Sequence, residues 1–288
     1  MGDTHKTAII TDSTCDIPQA LSDELGIFVI PQHVIWGTED MKDGVDIQPK
    51  GFYERLKREK QNPTTSQPPA SEFIDYLNKA KENGAERALI ITVSQELSGT
   101  NASALQAQQQ IDMPVEVVDS RSVSMGLGWQ VIAAARARNA GGDVTAMISA
   151  AQKAREQGTV LFYVDTLEYL HRGGRVSATR KLIGTMLNIK PQLIVDHTTG
   201  TIEAGPRTRT RSKAVEKLYE DFLAVMSKYS GKLRTVVLHA DQHKDAEAFG
   251  DRLKTDCDVA ELYVSWVSPV LGVHTGPGAI AFAGYIES

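Results

Sequence analysis

Three short clusters rich in hydroxyl groups hold the residues of this 288-residue chain best placed to do chemistry. In Asn62-Pro63-Thr64-Thr65-Ser66-Gln67-Pro68-Pro69, three hydroxyls stand in a row between prolines. Proline fixes its own φ and restricts the residue before it, so the backbone runs extended and Thr64, Thr65 and Ser66 point in set directions. Such a row can hydrogen-bond an anion, but it also reads as a capped turn in which Ser71 and Glu72 open a helix from Glu72 to Glu82. In Ser94-Gln95-Glu96-Leu97-Ser98-Gly99-Thr100, a strand ending at Val93 turns into a helix. Backbone N–H groups, the Ser98 hydroxyl and the helix dipole there favour a negative charge, and plain N-capping by Ser98 or Thr100 is the alternative. In Ser268-Pro269-Val270-Leu271-Gly272-Val273-His274-Thr275-Gly276-Pro277-Gly278, glycines flank His274 and permit close approach of a ligand or another chain. His274 is thus either a satisfied structural histidine or an orienting group.

The elements that must position these clusters follow an α/β rhythm. Short β-branched runs recur at Thr7 to Thr11, Ala88 to Val93, Val115 to Val118, Val160 to Val164, Lys190 to Val195, Arg234 to His239 and Ala260 to Val264, with helical patterns between them. In the first half each strand passes through a polar or glycine-containing turn into a helix, such as Gln19 to Leu25 or Asn101 to Gln110. Such crossovers predict an open parallel sheet, and ligands bind beyond the carboxyl ends of its strands. Gly126 to Ala154 reads as two helices broken at Gly141-Gly142 and capped by Asp143. After Gly158 the pattern changes, with an antiparallel hairpin around His197-Thr198-Thr199-Gly200, which places a domain boundary near residue 158.

Composition narrows the function. Apolar residues make up 41% of the chain and no run of eighteen apolar residues occurs, so a water-soluble globular protein without a membrane span is expected. Two cysteines, Cys15 and Cys257, are too sparse for a disulfide framework, and the polar start lacks the order of a secretory signal, which together point to the cytoplasm. A net charge of −5 with scattered lysines and arginines argues against nucleic acid. Arg207, Arg209 and Arg211 are a local exception, because their alternation would place three arginines on one side of a strand as a solvated edge or a docking patch. His239 and His243 are four apart but lie around a turn, where histidines face solvent more often than metal, so no metal site is expected.

Two kinds of activity fit the clusters. A serine-dependent acyl hydrolase or transferase would use Ser98 or Thr65 as nucleophile, His274 as base and Asp12 or Asp119 as orienter. Neither the Gly-x-Ser-x-Gly elbow nor a Gly-x-x-x-x-Gly-Lys-Ser/Thr loop is present to support it. The other kind is a carrier that holds an acid by hydroxyl groups.

Taken in order, Thr11-Asp12-Ser13-Thr14, Pro63-Thr64-Thr65-Ser66-Gln67-Pro68, Leu97-Ser98-Gly99-Thr100, Gly173-Gly174-Arg175-Val176, Lys190-Pro191 and Val273-His274-Thr275-Gly276-Pro277-Gly278 resemble the successive signatures of the DegV family of bacterial fatty-acid-binding proteins. The resemblance spans essentially the whole chain. It departs from the pattern at Asn62 and in the arginine-rich Arg207-Thr208-Arg209-Thr210-Arg211. It implies an α/β protein of two domains: an amino-terminal α/β/α domain with a mainly parallel sheet over residues 1–158, and a carboxyl-terminal α/β domain with a mixed sheet over 159–288. It further implies no cofactor and no catalytic residue, but a long-chain fatty acid such as palmitate bound between the domains and presented to a separate fatty acid kinase for acyl phosphate formation in phospholipid synthesis. By position, Thr65 and Ser98 would hold the carboxylate, with Thr64, Ser66, Gly99 and His274 beside them. Arg172, Arg175, Arg207 and Arg209 would meet the kinase, and transient contact with a membrane surface is compatible with this role.

Overall fold

The computed structural model describes residues 6–175 and 190–287. Val176 of the fourth signature and the first five residues lie outside that range. In chain order the first half contains β1 (Thr7–Asp12), α1 (Gln19–Glu24), β2 (Ile27–Ile30), β3 (His33–Trp36), β4 (Glu39–Lys42), α2 (Pro49–Arg58), β5 (Thr64–Ser66), α3 (Ala70–Glu82), β6 (Arg87–Thr92), α4 (Thr100–Gln108), β7 (Val115–Asp119), α5 (Met125–Asn139) and α6 (Val144–Glu156). Four of these strands form a parallel sheet in the order β2-β1-β6-β7, as the crossovers require. A second, antiparallel sheet of order β4-β3-β5 was not legible in the sequence. It explains the proline-flanked hydroxyl row, since β5 is an edge strand that pairs Val34 with Thr65 and His33 with Ser66. With side chains alternating, Thr65 faces opposite to Thr64 and Ser66.

The second half contains β8 (Gly158–Tyr163), α7 (Glu168–Arg172), β9 (Lys190–Val195), β10 (Ile202–Thr208), α8 (Arg211–Met226), β11 (Lys232–His239), α9 (His243–Asp256), β12 (Val259–Trp266), α10 (Pro269–Thr275) and β13 (Ile280–Glu287). Six strands form a mixed sheet, β10-β9-β8-β13-β11-β12, in which only β11 and β12 run parallel. The hairpin about His197 to Gly200 joins β9 to β10, as its turn residues predict.

Alternating side chains sort the interior into three apolar layers. On β1 and β6, Ala8, Ile10, Ala88 and Ile90 face α3 and α4, whereas Ile9, Leu89 and Ile91 face the middle of the molecule. On β8 and β13, Val160, Phe162, Ala281 and Ala283 face the same middle layer, and Leu161, Tyr163, Ile280 and Phe282 face α8 and α9. Helix α5 lies in the middle layer and touches both sheets, which is why it is apolar on nearly all sides. The break after α5 is the expected one: Gly141 has φ +93°, and the Asp143 carboxylate accepts from Ala146 N–H.

Some expectations are corrected. Helix α3 starts at Ala70, and its N-cap Pro69 makes no side-chain cap bond, so Ser71 does not cap it. Only Arg207 of the three alternating arginines lies in a strand, because β10 ends at Thr208 and Arg211 opens α8, bound to Asp245 and Gln242. His239 is buried at the end of β11 against Trp266 rather than facing solvent. Cys15 is buried, Cys257 half-buried, and no bond joins them. Among the described residues, no helix is long and apolar enough to cross a membrane.

The buried Trp129 of α5 fills the space between the sheets and donates from Nε1 to the Ala283 carbonyl at 3.2 Å. Trp129→Ala is expected to cost about 3 to 5 kcal/mol by loss of contact and creation of a cavity, read from the urea midpoint at unchanged m-value.

Candidate functional site

Where α5 begins, the middle layer is no longer filled. The space beyond its amino-terminal end is a cavity of about 480 Å³, lined by Val123 and Ser124 just before α5, by Val160, Phe162, Ile202 and Ala281 of the mixed sheet, and by Thr14, Gln32, Val93, Leu97 and Ser98 past the carboxyl ends of the parallel strands. Its body is apolar, formed by Val93, Leu97, Val160, Phe162, Leu170, Ile202, Val267, Val270, Leu271, Ala279 and Ala281. Polar residues also line it: Thr65, Ser66, Gln67, Ser98, Arg175 and His274, with Thr14, Gln32, Ser124 and Thr275. An apolar chamber with a few convergent polar groups is the usual form of a small-molecule site, and its volume falls in the common range of about 300 to 1,000 Å³.

The three clusters singled out in the sequence therefore meet at one cavity. Thr65, Ser98 and His274 line it and Ser66 borders it, although the alternation of β5 leaves Ser66 exposed on the face opposite Thr65, whereas Thr64 and Gly99 do not line it. Thr64 is exposed, on the opposite side of β5 from Thr65. Gly99 has another use: a Cβ there would come within 2.2 Å of the Gln67 Oε1, so glycine leaves room for the Gln67 side chain, whose Nε2 donates to Ser103 Oγ.

Thr65 Oγ1 lies 2.9 Å from His274 Nε2. Enclosure, helped by the positive charge of Arg175, lowers the His274 pKa to about 4, so the ring is neutral at physiological pH. Its Nδ1 has no partner among the described residues and faces Gly173, where a Cβ would come within 2.1 Å. An unpaired lone pair costs less there than an unpaired N–H, particularly near the Arg175 cation. These surroundings favour the tautomer with the proton on Nε2, in which the ring donates to Thr65 and leaves the Thr65 hydroxyl proton free for the cavity.

Ser98 sits at the start of α4. Its N–H is bonded to the Ser94 carbonyl, and Thr100 N–H donates to Ser98 Oγ, so these two backbone groups are taken up inside the turn rather than aimed at a ligand. The Ser98 side-chain oxygen lies 2.8 Å from Thr100 Oγ1. Arg175, expected at a partner interface, lines the cavity, with Nε and Nη1 donating to the carbonyls of Leu97 and Gly173. Arg172, Arg207 and Arg209 are exposed, and Arg172 pairs with Glu168.

The arrangement does not assemble a Ser-His-Asp triad. Ser98 bonds to Thr100, and His274 bonds to Thr65. Asp12 is occupied by Thr14, Gln32 and Val93, and Asp119 by the N–H groups of Gln95 and Arg121. What the geometry does provide is an apolar chamber whose lining includes Thr65, Ser98 and the Arg175 cation. Gln32 and Ser124 were missed in the sequence, because they are far from the clusters along the chain, and Thr14, part of the first signature, was given no place at the site.

This fold and site identify the class of protein. Residues 6–287 match the family model described as "Uncharacterised protein, DegV family". A DegV domain-containing protein of Streptomyces coelicolor is 36% identical over 95% of this chain and 96% of its own length. The fatty-acid-binding DegV family protein of Thermus thermophilus superposes with a TM-score of 0.90 at 32% identity, covering 98% of this chain and all of that one. DegV of Bacillus subtilis, a fatty acid binding protein, gives 0.89 at 30% identity over 98% of this chain and 99% of its own. The chain belongs to the DegV family.

Helix α10, which carries His274, is tied to the first half by buried groups. Asp16 accepts from Ser268 N–H and Ser124 Oγ, Asp43 from Val270 N–H and Ser13 Oγ, and Tyr53 Oη donates to the Val267 carbonyl. Burial raises the Asp16 and Asp43 carboxyls to about 7. Because these values exceed the 3.8 of the ordinary group, the folded state binds more protons between those pH values. Their stabilising contribution is fullest below 3.8 and is lost as pH rises through 7. His239 and His274, lowered to about 4, act with the opposite sign but equally in parent and variant. Asp16→Asn is therefore expected to lose less Tm than the parent between pH 5 and pH 8, as read by calorimetry at both values.

Proposed function

We propose that the cavity holds one long-chain fatty acid such as palmitate, its carboxylate bonded by Thr65 and Ser98, and that the protein presents this acid to a separate fatty acid kinase. The observation that carries this reading is a cavity of about 480 Å³ whose lining combines a largely apolar wall with Thr65 and Ser98. The fatty-acid-binding relatives of Thermus thermophilus and Bacillus subtilis support it by descent. On this reading the site lies between an amino-terminal domain of residues 1–158 and a carboxyl-terminal domain of 159–288.

The energetics are adequate. Burying about fifteen methylenes at roughly 0.8 kcal/mol each offers on the order of 10 kcal/mol before the cost of freezing the chain. Dehydrating the carboxylate costs several kcal/mol unless donors replace water, and hydrogen bonds to a charged group contribute about 1.5 to 3 kcal/mol each. Two hydroxyl protons then offset much of that cost, and the Arg175 charge adds attraction without pairing directly. A carboxylate held mainly by hydroxyls keeps an oxygen accessible to an incoming phosphoryl group.

Thr65→Ala and Ser98→Ala are each expected to weaken fatty-acid binding about tenfold while moving the Tm of the ligand-free protein little, measured by titration with a fluorescent acid and by calorimetry. Undiminished retention of lipid by both variants refutes the carboxylate assignment. The exposed Arg207, with Arg172 and Arg209, is proposed to meet the kinase. Arg207→Ala is expected to lower acyl phosphate formation severalfold at unchanged lipid affinity, and equal turnover rejects the docking role.

A further inference from the structure

We infer that Gln32 is a positioning residue that sets which way the Ser98 hydroxyl points its proton, and so tunes the site for an acid rather than a neutral lipid head. The inference rests on the fatty-acid reading above. Gln32 lies between β2 and β3, is buried, and lines the cavity wall. Its Nε2 donates to Asp12 Oδ1 at 3.1 Å and to Thr100 Oγ1 at 2.9 Å.

The direction of every proton in this chain of contacts follows from its buried end. The Asp12 carboxylate also accepts from Thr14 N–H, Thr14 Oγ1 and Val93 N–H, so all its described partners are donors. The Gln32 group facing it must be the NH₂ and not the carbonyl, because a carbonyl would set acceptor against acceptor. The second proton of that NH₂ faces Thr100 Oγ1, which accepts it. Thr100 then has its own proton left, and its remaining described side-chain partner is Ser98 Oγ, 2.8 Å away. Thr100 N–H donates to the same Ser98 oxygen at 3.3 Å. With two donors directed at it, Ser98 has its acceptor side occupied, and its own proton is turned away from Thr100.

Ser98 therefore meets a ligand as a donor. A carboxylate oxygen, which only accepts, matches that polarity, and so does the Thr65 proton left free by His274. A fatty alcohol can accept or donate and gains little from the fixed direction. Without the Gln32 N–H, Thr100 can accept from Ser98 instead, and half of the donor pair is lost to an internal bond.

The test compares Gln32→Met, which keeps length and volume but removes the donor, with the parent, using palmitate and hexadecanol as probes. Expected is an about tenfold loss of palmitate affinity with hexadecanol affinity changed less than twofold. In a Ser98→Ala background the same substitution is expected to change palmitate affinity by less than twofold, since Gln32 acts through Ser98. Thr100→Ser is expected to keep the parental preference, and Thr100→Val to lose it. Equal loss for both probes reduces Gln32 to packing and overturns the inference, as does an undiminished effect in the Ser98→Ala background. Failure of the parent itself to bind palmitate strikes the fatty-acid reading instead, so the two failures are distinguishable.

Discussion

The carboxylate of Asp12, with no exposed surface, is the point from which the rest of the site is built. Burying a charge is costly unless hydrogen bonds replace its water, and here four donors do so: Thr14 N–H and hydroxyl, Gln32 Nε2 and Val93 N–H. Burial still raises its pKa, and the surrounding donors pull it back down. Those four bonds join the end of β1 to the end of β6 and to the connection between β2 and β3. The turn that carries Ser98 leaves β6 immediately after Val93, so its position follows from this one group.

The cavity is a consequence of layering. Two sheets face a common middle layer, and α5 fills it over part of its length with Trp129, Val131 and Ile132 among others. Past the beginning of α5 the facing residues include Ala279 and Ala281, too small to close the gap. The far wall is held by α10, whose backbone N–H groups at Ser268 and Val270 reach Asp16 and Asp43 in the first half. His274, Thr65 and Ser98 come from three distant stretches of chain, and these buried carboxyls are part of what keeps the three stretches together.

Much of the fold can be read along the chain. The β-branched runs, the Gly141-Gly142 break with its Asp143 cap, and the His197 to Gly200 hairpin are local signals, and each became the element it indicates. What escaped was the short antiparallel sheet: β4, Glu39 to Lys42, is polar and half-exposed and shows no run of β-branched residues. The arginine alternation from Arg207 misled because helix α8 begins at Arg211, and a period of two has no meaning across a strand-to-helix turn.

Residue type and local spacing alone thus determined that Thr65 and Ser98 stand in an edge and a turn able to expose polar atoms, and that His274 lies between glycines, because proline, glycine and hydroxyl side chains act on their nearest neighbours. Only tertiary structure decided that these residues share one chamber, that Thr64 faces away from it, and that Arg175 faces into it. It also decided the partners of each hydroxyl, Thr100 for Ser98 and His274 for Thr65. The physical reason is range: backbone preference is set over a few residues, whereas the direction of a hydroxyl proton depends on whichever donor or acceptor the packed sheets bring within 3 Å.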